Sequence, residues 1–188
     1  ILLTMAVRNI KELPFIESFE EFPSLDSTNT YAGSGAPLPR TGLGIVRARR
    51  QTGGRGRRGN TFFSNTPGGL WISILIPVES IDSHFTWNRA LSLSICETVS
   101  TRCPAKEVRI KWPNDIFVAD RKICGILLET VPGSPVSHIV AGFGLNVNIA
   151  AGTFPPAIGS IATSLLIERG KPANEEALLR DILTGFHR

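Results

Sequence analysis

Six arginines fall between positions 47 and 58, in the run RARRQTGGRGRRG that begins at Arg47 and ends at Gly59. Guanidinium forks grip phosphate or carboxylate oxygens in pairs, and glycine lets a backbone come close to a ligand, so the run reads as an anion-binding loop. Two phosphate motifs overlap it and both fail. Residues 54–59 spell G-x-G-x-x-G, but a dinucleotide site needs a helix to open directly afterwards, and Pro67, Gly68 and Gly69 follow instead. The P-loop reading lacks its lysine, because Asn60 and Thr61 come next. A nucleic-acid arm is the competing use of so much charge. Against it, the run lies between two apolar stretches rather than at a terminus, and no stacking aromatic interleaves it before Phe62 and Phe63. A solvated surface run is the bland alternative.

A second group is Lys111-Trp112-Pro113-Asn114-Asp115, followed closely by Asp120-Arg121-Lys122. With Asp120-Arg121 as a hairpin tip, Ala119 faces Lys122, Phe117 faces Cys124 and Asp115 faces Ile126, all on one side of the sheet. That spacing predicts Asp115 and Lys122 about four residues apart along the strands, roughly 13 Å. This is too far for an ion pair and suited to the two ends of one elongated ligand. Read alone, Asp115 could equally cap a turn and Lys122 reach solvent. A third group is Gly142 and Gly144, set inside a stretch otherwise fit to be a continuous strand, as happens where a ligand or another backbone approaches closely. His84, His138 and His187 are scattered without metal-ligand spacing, and no Ser/His/Asp grouping appears.

The elements that must position these residues are short and of both periods, which predicts a single α+β domain with a mixed, mostly antiparallel sheet packed with helices. Strands are expected at 15–22, 44–48, 70–78, 108–111, 116–119, 122–131 and 136–149, the last four joined by turns at 113–114, 120–121 and 132–135. A helix should start near Thr28, with caps offered by residues 26–29, and the best helical pattern runs over 83–102, stopped by Pro104. A Gly/Pro loop is expected at 150–159, then a helical stretch to Gly170, then a helix capped by Asn174 with Glu175 and Glu176 in its first turn.

Composition agrees. At 188 residues and 42% hydrophobic, the chain can bury a core without staples, which excludes disorder as its main description. Its formal net charge is +4, so the arginine run is a local concentration rather than a general excess. Cys96, Cys103 and Cys124 are odd in number with no C-x-x-C, which argues against a disulfide framework or thiolate zinc and for a reducing, cytoplasmic compartment. No stretch approaches the ~20 apolar residues of a membrane span. Residues 1–7 are apolar, but their charges follow rather than precede them, unlike a signal peptide.

Taken in order, five stretches resemble the catalytic domain of the biotin protein ligases (biotin–acetyl-CoA-carboxylase ligases): 26–29 (DSTN), 51–59 (QTGGRGRRG), 111–115 (KWPND), 121–122 with 125–127 (RK, GIL), and 142–146 (GFGLN). The resemblance implies the fold of the class II biotin/lipoate ligase catalytic domain across 1–188. It also implies two steps, ATP-dependent conversion of biotin to biotinyl-5′-AMP and transfer of the biotinyl group to a lysine of a biotin carboxyl carrier domain. ATP and Mg²⁺ would be co-substrates, with no prosthetic group. By the same token Ser27, Thr28, Gln51, Gly54, Arg55, Lys122, Gly125 and Gly142 match biotin-binding positions. Arg55, Arg57, Arg58, Asn114 and Asn146 match nucleotide or phosphate positions. Arg55, Lys122 and Asp115 are the expected catalytic residues, and Asp115 is either the group that orients or deprotonates the acceptor amine or a Mg²⁺ ligand. About 25 residues precede the Ser27-Thr28 motif, too few for the DNA-binding domain of some bacterial members, and the small C-terminal β-barrel has no room after Asn174. The expectation is therefore a catalytic domain with no DNA or membrane partner; the oligomeric state, homodimer included, stays open. A lipoate or octanoate ligase of the same superfamily is the nearest rival.

Overall fold

The computed structural model describes residues 9–131 and 137–188, the side chain of Ile81 excepted. In chain order the elements are β1 (Ile16–Phe22), α1 (Thr28–Ser34), β2 (Leu43–Ala48), β3 (Gly69–Val78), α2 (His84–Arg102), β4 (Val108–Lys111), β5 (Asp115–Val118), β6 (Arg121–Val131), β7 (Ser137–Asn146), α3 (Pro156–Gly159), α4 (Leu165–Arg169) and α5 (Glu175–His187). The strands form one sheet in the order β1-β2-β3-β7-β6-β5-β4. Only β1 and β2 run parallel; every other neighbouring pair is antiparallel. The α+β fold expected from the short elements of mixed period is the one observed. The turn expected at 132–135 and the apolar opening at 1–7 lie outside the described residues.

The two faces of the sheet are treated differently. One is covered by α2 and α5, whose Leu91, Ile95, Val99, Leu178, Leu179, Ile182 and Leu183 pack on Ile72, Ile74, Ile116 and Leu145. Each such side chain contributes about 1.5–3 kcal/mol by leaving water. The opposite face is covered at one end by α1, where Ala32 meets Val46, Leu75 and Val140, and at the other by the segment after β7, where Ile149, Phe154 and Ala162 pack with Trp71. Between these two covers the middle of the face is an open cleft. None of the described helices is long and apolar enough to cross a membrane.

Several expectations are corrected. Hairpin β5–β6 does not take the even register: Asp115 pairs with Gly125, Ile116 with Cys124 and Phe117 with Lys122, so Ile123 is an extra, bulged residue. A bulge breaks the strict alternation of faces. Cys124 therefore turns into the helix-covered core with Ile116 instead of sharing the Lys122 face, and burial pushes its thiol pKa well above the ordinary value. Ala119, expected to end a strand opposite Lys122, is instead a turn residue at φ 50. Strand β7 stops at Asn146 rather than 149, and the expected 150–159 loop contains the one-turn α3.

Arg47, counted in the arginine run, is 1% exposed and points into the helix-covered face. It pairs there with Glu175 (3.1 Å) and Glu176 of α5, and lies 3.7 Å from Glu21 of β1. Arg49 reaches the same Glu21 at 2.7 Å. These two arginines hold the fold together and leave ligand chemistry to those further along.

Candidate active site

At the centre of this face the strands themselves carry small residues, and Phe62 of the loop lies over Gly125 and Gly144. Ser73 lies opposite Gly142, and Gly144 lies between Trp71 and Gly125, so four of the central positions are serine or glycine. Above this floor is a cleft of ≈ 400 Å³. Its walls come from the start of α1, from the arginine-glycine loop, and from the β4–β5 turn with the near end of β6.

One end is polar and uncharged. Ser27 caps α1, its Oγ accepting from the Thr30 N–H at 3.4 Å, as a Ser N-cap does. Gln51 is brought alongside by a bridge to Leu25. Its Oε1 accepts from the Thr28 N–H at 2.7 Å and the Thr28 hydroxyl at 3.0 Å, while its Nε2 donates to Ser64 Oγ at 3.1 Å. Asn29 Nδ2 donates to the Leu127 carbonyl (3.1 Å) and to Glu129 (2.9 Å), and Ser73 Oγ donates to Asn29 Oδ1 at 2.6 Å. Almost every buried polar group at this end is held by another, so the hydroxyls face the cleft in fixed directions.

The other end is cationic. The loop folds back as a small hairpin through Gly56 N–H to Asn60 O (2.7 Å) and Phe62 N–H to Gly54 O (2.9 Å). Arg58 (φ 57) and Gly59 (φ 76) adopt left-handed backbone at its tip, a conformation glycine takes freely and arginine does not. Arg55 pairs with Glu129 and donates to Thr30 Oγ1 at 3.3 Å, and Arg57 donates to Asn114 Oδ1 at 3.3 Å. Lys122 Nζ stands 2.8 Å from Asp115 Oδ1 and 5.6 Å from the Phe62 ring centre. The expected 13 Å separation of Asp115 and Lys122 is thus overturned. The bulge brings Asp115 opposite Gly125, and the lysine stem runs along the strand over that glycine, where an added Cβ would sit 3.1 Å from Nζ.

Ser27, Thr28, Gln51, Arg55, Arg57, Arg58, Asn114, Asp115, Lys122, Gly125 and Gly142 all line this one cleft. Gly54 and Asn146 do not. Gly54 sits against Ser64 and the Phe62 carbonyl, where a Cβ would meet Ser64 Oγ at 2.1 Å. Asn146 is buried at the end of the floor, on the same face as Gly142 and Gly144, its Nδ2 donating to the Thr163 carbonyl at 2.9 Å while its Oδ1 has no partner. Gly142 makes room for Asn29 rather than for a ligand directly, since a Cβ there would meet Asn29 Oδ1 at 2.0 Å. The sequence reading missed Asn29, Phe62, Ser73 and Glu129. Period-two alternation from Gly125 through Leu127 to Glu129 was the available signal for Glu129. Phe62 and Phe63 were visible as aromatics closing the loop.

Among the described residues no group of three or more His, Cys, Asp or Glu could hold a metal ion. Asp115 is the single carboxylate lining the cleft. That sparse donor set does not suit a resident metal, though it suits Mg²⁺ arriving with a polyphosphate that supplies the other oxygens.

A hydrogen-bonding end, a floor of small residues and a cationic end, enclosed by a glycine-rich loop on a mixed sheet, define a cleft for an elongated anionic ligand. Comparison with known proteins gives this class its family. The chain matches the biotin/lipoate A/B protein ligase family over residues 21–146, and it belongs to that family. It is 32% identical over 167 residues to the biotin–[acetyl-CoA-carboxylase] ligase of Paracoccus denitrificans, covering 87% of this chain and 69% of that one. It is 31% identical over 146 residues to the bifunctional ligase/repressor BirA of Bacillus spizizenii, covering 77% of this chain but only 45% of the relative. The chain thus spans less than half the length of that relative. Among solved structures, the biotin protein ligase from Aquifex aeolicus in complex with biotin and ATP superposes with a TM-score of 0.77 at 26% identity, covering 91% of this chain and 69% of that one.

Proposed function

We propose that this protein activates biotin with ATP to biotinyl-5′-AMP and passes the biotinyl group to a lysine of a biotin carboxyl carrier domain. The observation that carries the reading is the pairing, within one cleft, of a fixed amide-recognising end with a cluster of four cations. A ureido ring needs hydrogen-bond partners, which Ser27 and Thr28 offer while Gln51 fixes them. A dithiolane or alkyl tail would leave those groups unpaired at about 1–3 kcal/mol each.

In the first step a carboxylate oxygen attacks the α-phosphorus of ATP, the bond to the bridging oxygen breaks, and pyrophosphate leaves. Two anions must meet for this to happen. Arg55, Arg57, Arg58 and Lys122 supply the opposing charge as it moves onto the leaving group. Mg²⁺ carried in on the triphosphate would add charge neutralisation, and Asp115 is the carboxylate of the cleft that would hold it. On the nucleotide side the Asn114 amide is the contact, while Asn146, which does not line the cleft, holds the Thr163 carbonyl beside Lys122. In the second step the acceptor amine attacks the acyl carbon, AMP leaves, and the amine loses a proton. At pH 7 a lysine amine of ordinary pKa is only about 0.04% neutral, so a carboxylate at the mouth that orients or takes that proton speeds transfer. In this reading that carboxylate is Asp115, released when Lys122 turns to the acyl phosphate; holding Mg²⁺ is the alternative use of the same group. Closing the arginine-glycine loop keeps water from the adenylate.

The test is pyrophosphate release with ATP and Mg²⁺ in the presence of biotin, lipoate, octanoate or no acid. Release is expected with biotin alone. Release with lipoate or octanoate in preference would move the assignment to the lipoate branch of the family. Salt-sensitive binding of RNA or DNA with no response to any acid would return the arginine loop to nucleic acid.

A further inference from the structure

Lys122 sits where the sheet runs out. Strand β7 pairs with β6 only from Cys124, opposite Leu145, onward, and after Asn146 the chain turns away to bond Gly68. The flank of Lys122 that β7 would have covered is filled instead by residues 161–163. The Lys122 N–H donates to the Ile161 carbonyl at 2.8 Å, and the Thr163 N–H donates to the Lys122 carbonyl at 2.9 Å, making an isolated parallel bridge through Ala162. On its other side Lys122 pairs with Phe117 of β5.

This three-residue strap is itself anchored by Thr163, whose polar groups are all engaged. Its N–H holds Lys122, its carbonyl accepts from Asn146 Nδ2 at 2.9 Å, and its hydroxyl donates to Glu168 Oε1. The same carboxylate oxygen accepts from Arg121 Nη2 at 2.6 Å. Glu168 is 3% exposed and belongs to α4, so it ties the residue before Lys122 and the strap beside Lys122 to one buried carboxylate. Nothing in the cleft touches Glu168, and no ligand chemistry is needed to explain it.

We infer that Glu168 is a positioning residue for Lys122, acting through Thr163 and the 161–163 strap to fix the backbone from which the lysine reaches into the cleft. The inference rests on the reading that Lys122 meets the acyl phosphate. Its structural half, that Glu168 restrains Lys122, can be read without any reaction. The obvious variant is Glu168→Ala, with Glu168→Gln as the conservative one that keeps an acceptor oxygen for both Thr163 and Arg121. Thr163→Val removes only the hydroxyl from the chain of contacts and serves if the alanine variant folds poorly.

Two readouts decide it. In the first, lysines of the intact protein are acylated with an acetyl N-hydroxysuccinimide ester and the peptides are quantified by mass spectrometry, with exposed Lys111 as the internal reference. Freed from its strap, Lys122 should label about threefold or more faster relative to Lys111 in Glu168→Ala and Thr163→Val, and near the wild-type ratio in Glu168→Gln. In the second, biotin-dependent pyrophosphate release should lose about tenfold in kcat with KM for biotin changed less than twofold, because displacement of a reacting group by a fraction of an ångström acts on the transition state. An unchanged Lys122 to Lys111 ratio in a folded Glu168→Ala or Thr163→Val variant overturns the inference, as does equal acceleration of both lysines, which marks general loosening. A wild-type protein that releases no pyrophosphate, yet shows the shifted labelling ratio in its variants, overturns the proposed reaction and leaves the positioning intact.

Discussion

Two glycines of the floor differ in what stands over them, and the difference is measurable. At Gly142 an added methyl would collide with Asn29, which is buried and bonded to Ser73, Leu127 and Glu129. At Gly125 it would meet only the ends of Lys122 and Phe62, which can swing aside. Gly142→Ala should therefore destabilise the protein by about 1–3 kcal/mol, whereas Gly125→Ala should leave the urea midpoint nearly unchanged and still depress turnover by displacing the Lys122 stem that lies over that glycine. Equal destabilisation by the two would contradict this account. Arg55 anchors the loop through Glu129 and Thr30. Loss of this partly exposed ion pair, up to about 1 kcal/mol, should make Arg55→Ala release adenylate up to about fivefold faster into solution, seen as AMP formed without acceptor. The types and order of the cleft residues were legible before any coordinates, because the chemistry selects arginine, lysine and glycine regardless of geometry. Their pairing was not. The Asp115–Lys122 contact depends on the bulge at Ile123, and one apolar residue among others carries no mark of being unpaired.

Elements fared differently according to how much local pattern they hold. Strand β3 and helix α2 emerged within a residue or two, since a ten-residue stretch whose one polar side chain is Ser73, or apolar residues at helical spacing ended by Pro104, leave few alternatives. The one-turn α3 lies in a Gly/Pro stretch and has no periodicity to betray it. The segment entering β2 shows an arrangement that only the folded chain reveals: the exposed Glu17 carboxylate of β1 accepts from the backbone N–H groups of Arg40, Thr41 and Gly42, each at 3.0 Å. Those donors favour the charged form and lower its pKa from 4.5 to about 2. A carboxyl depressed in the folded state stabilises the fold above its unfolded pKa and loses that contribution as pH falls toward the folded one. The stability gap between wild type and Glu17→Gln should thus be full at pH 6, narrow below pH 4.5 and close near pH 2, as followed by urea midpoints. A gap independent of pH would remove the carboxylate from the explanation.

For the molecule as a whole, the contact that joins its layers is Arg47, which crosses from the sheet to α5 and also lies beside β1. Removing it leaves a void and strands acidic partners beside a core, so Arg47→Ala should cost about 3 kcal/mol or more and lower the melting temperature by about 6–12 °C. Pyrophosphate release measured well below that temperature should be spared, because Arg47 faces away from the cleft. The sheet order has a further consequence for the chain as it is made. Strand β3 is almost wholly apolar, and the partner on its far side, β7, begins about sixty residues downstream, so at about 5–20 residues per second the ribosome takes about 3–12 s to deliver it. For that interval one edge of a ten-residue hydrophobic strand has no native neighbour, the condition under which nascent chains join one another. The floor of the cleft is completed only when that wait ends, so ligand cannot act as a folding template earlier, and slower, cooler synthesis with chaperone cover is where soluble yield will be gained or lost.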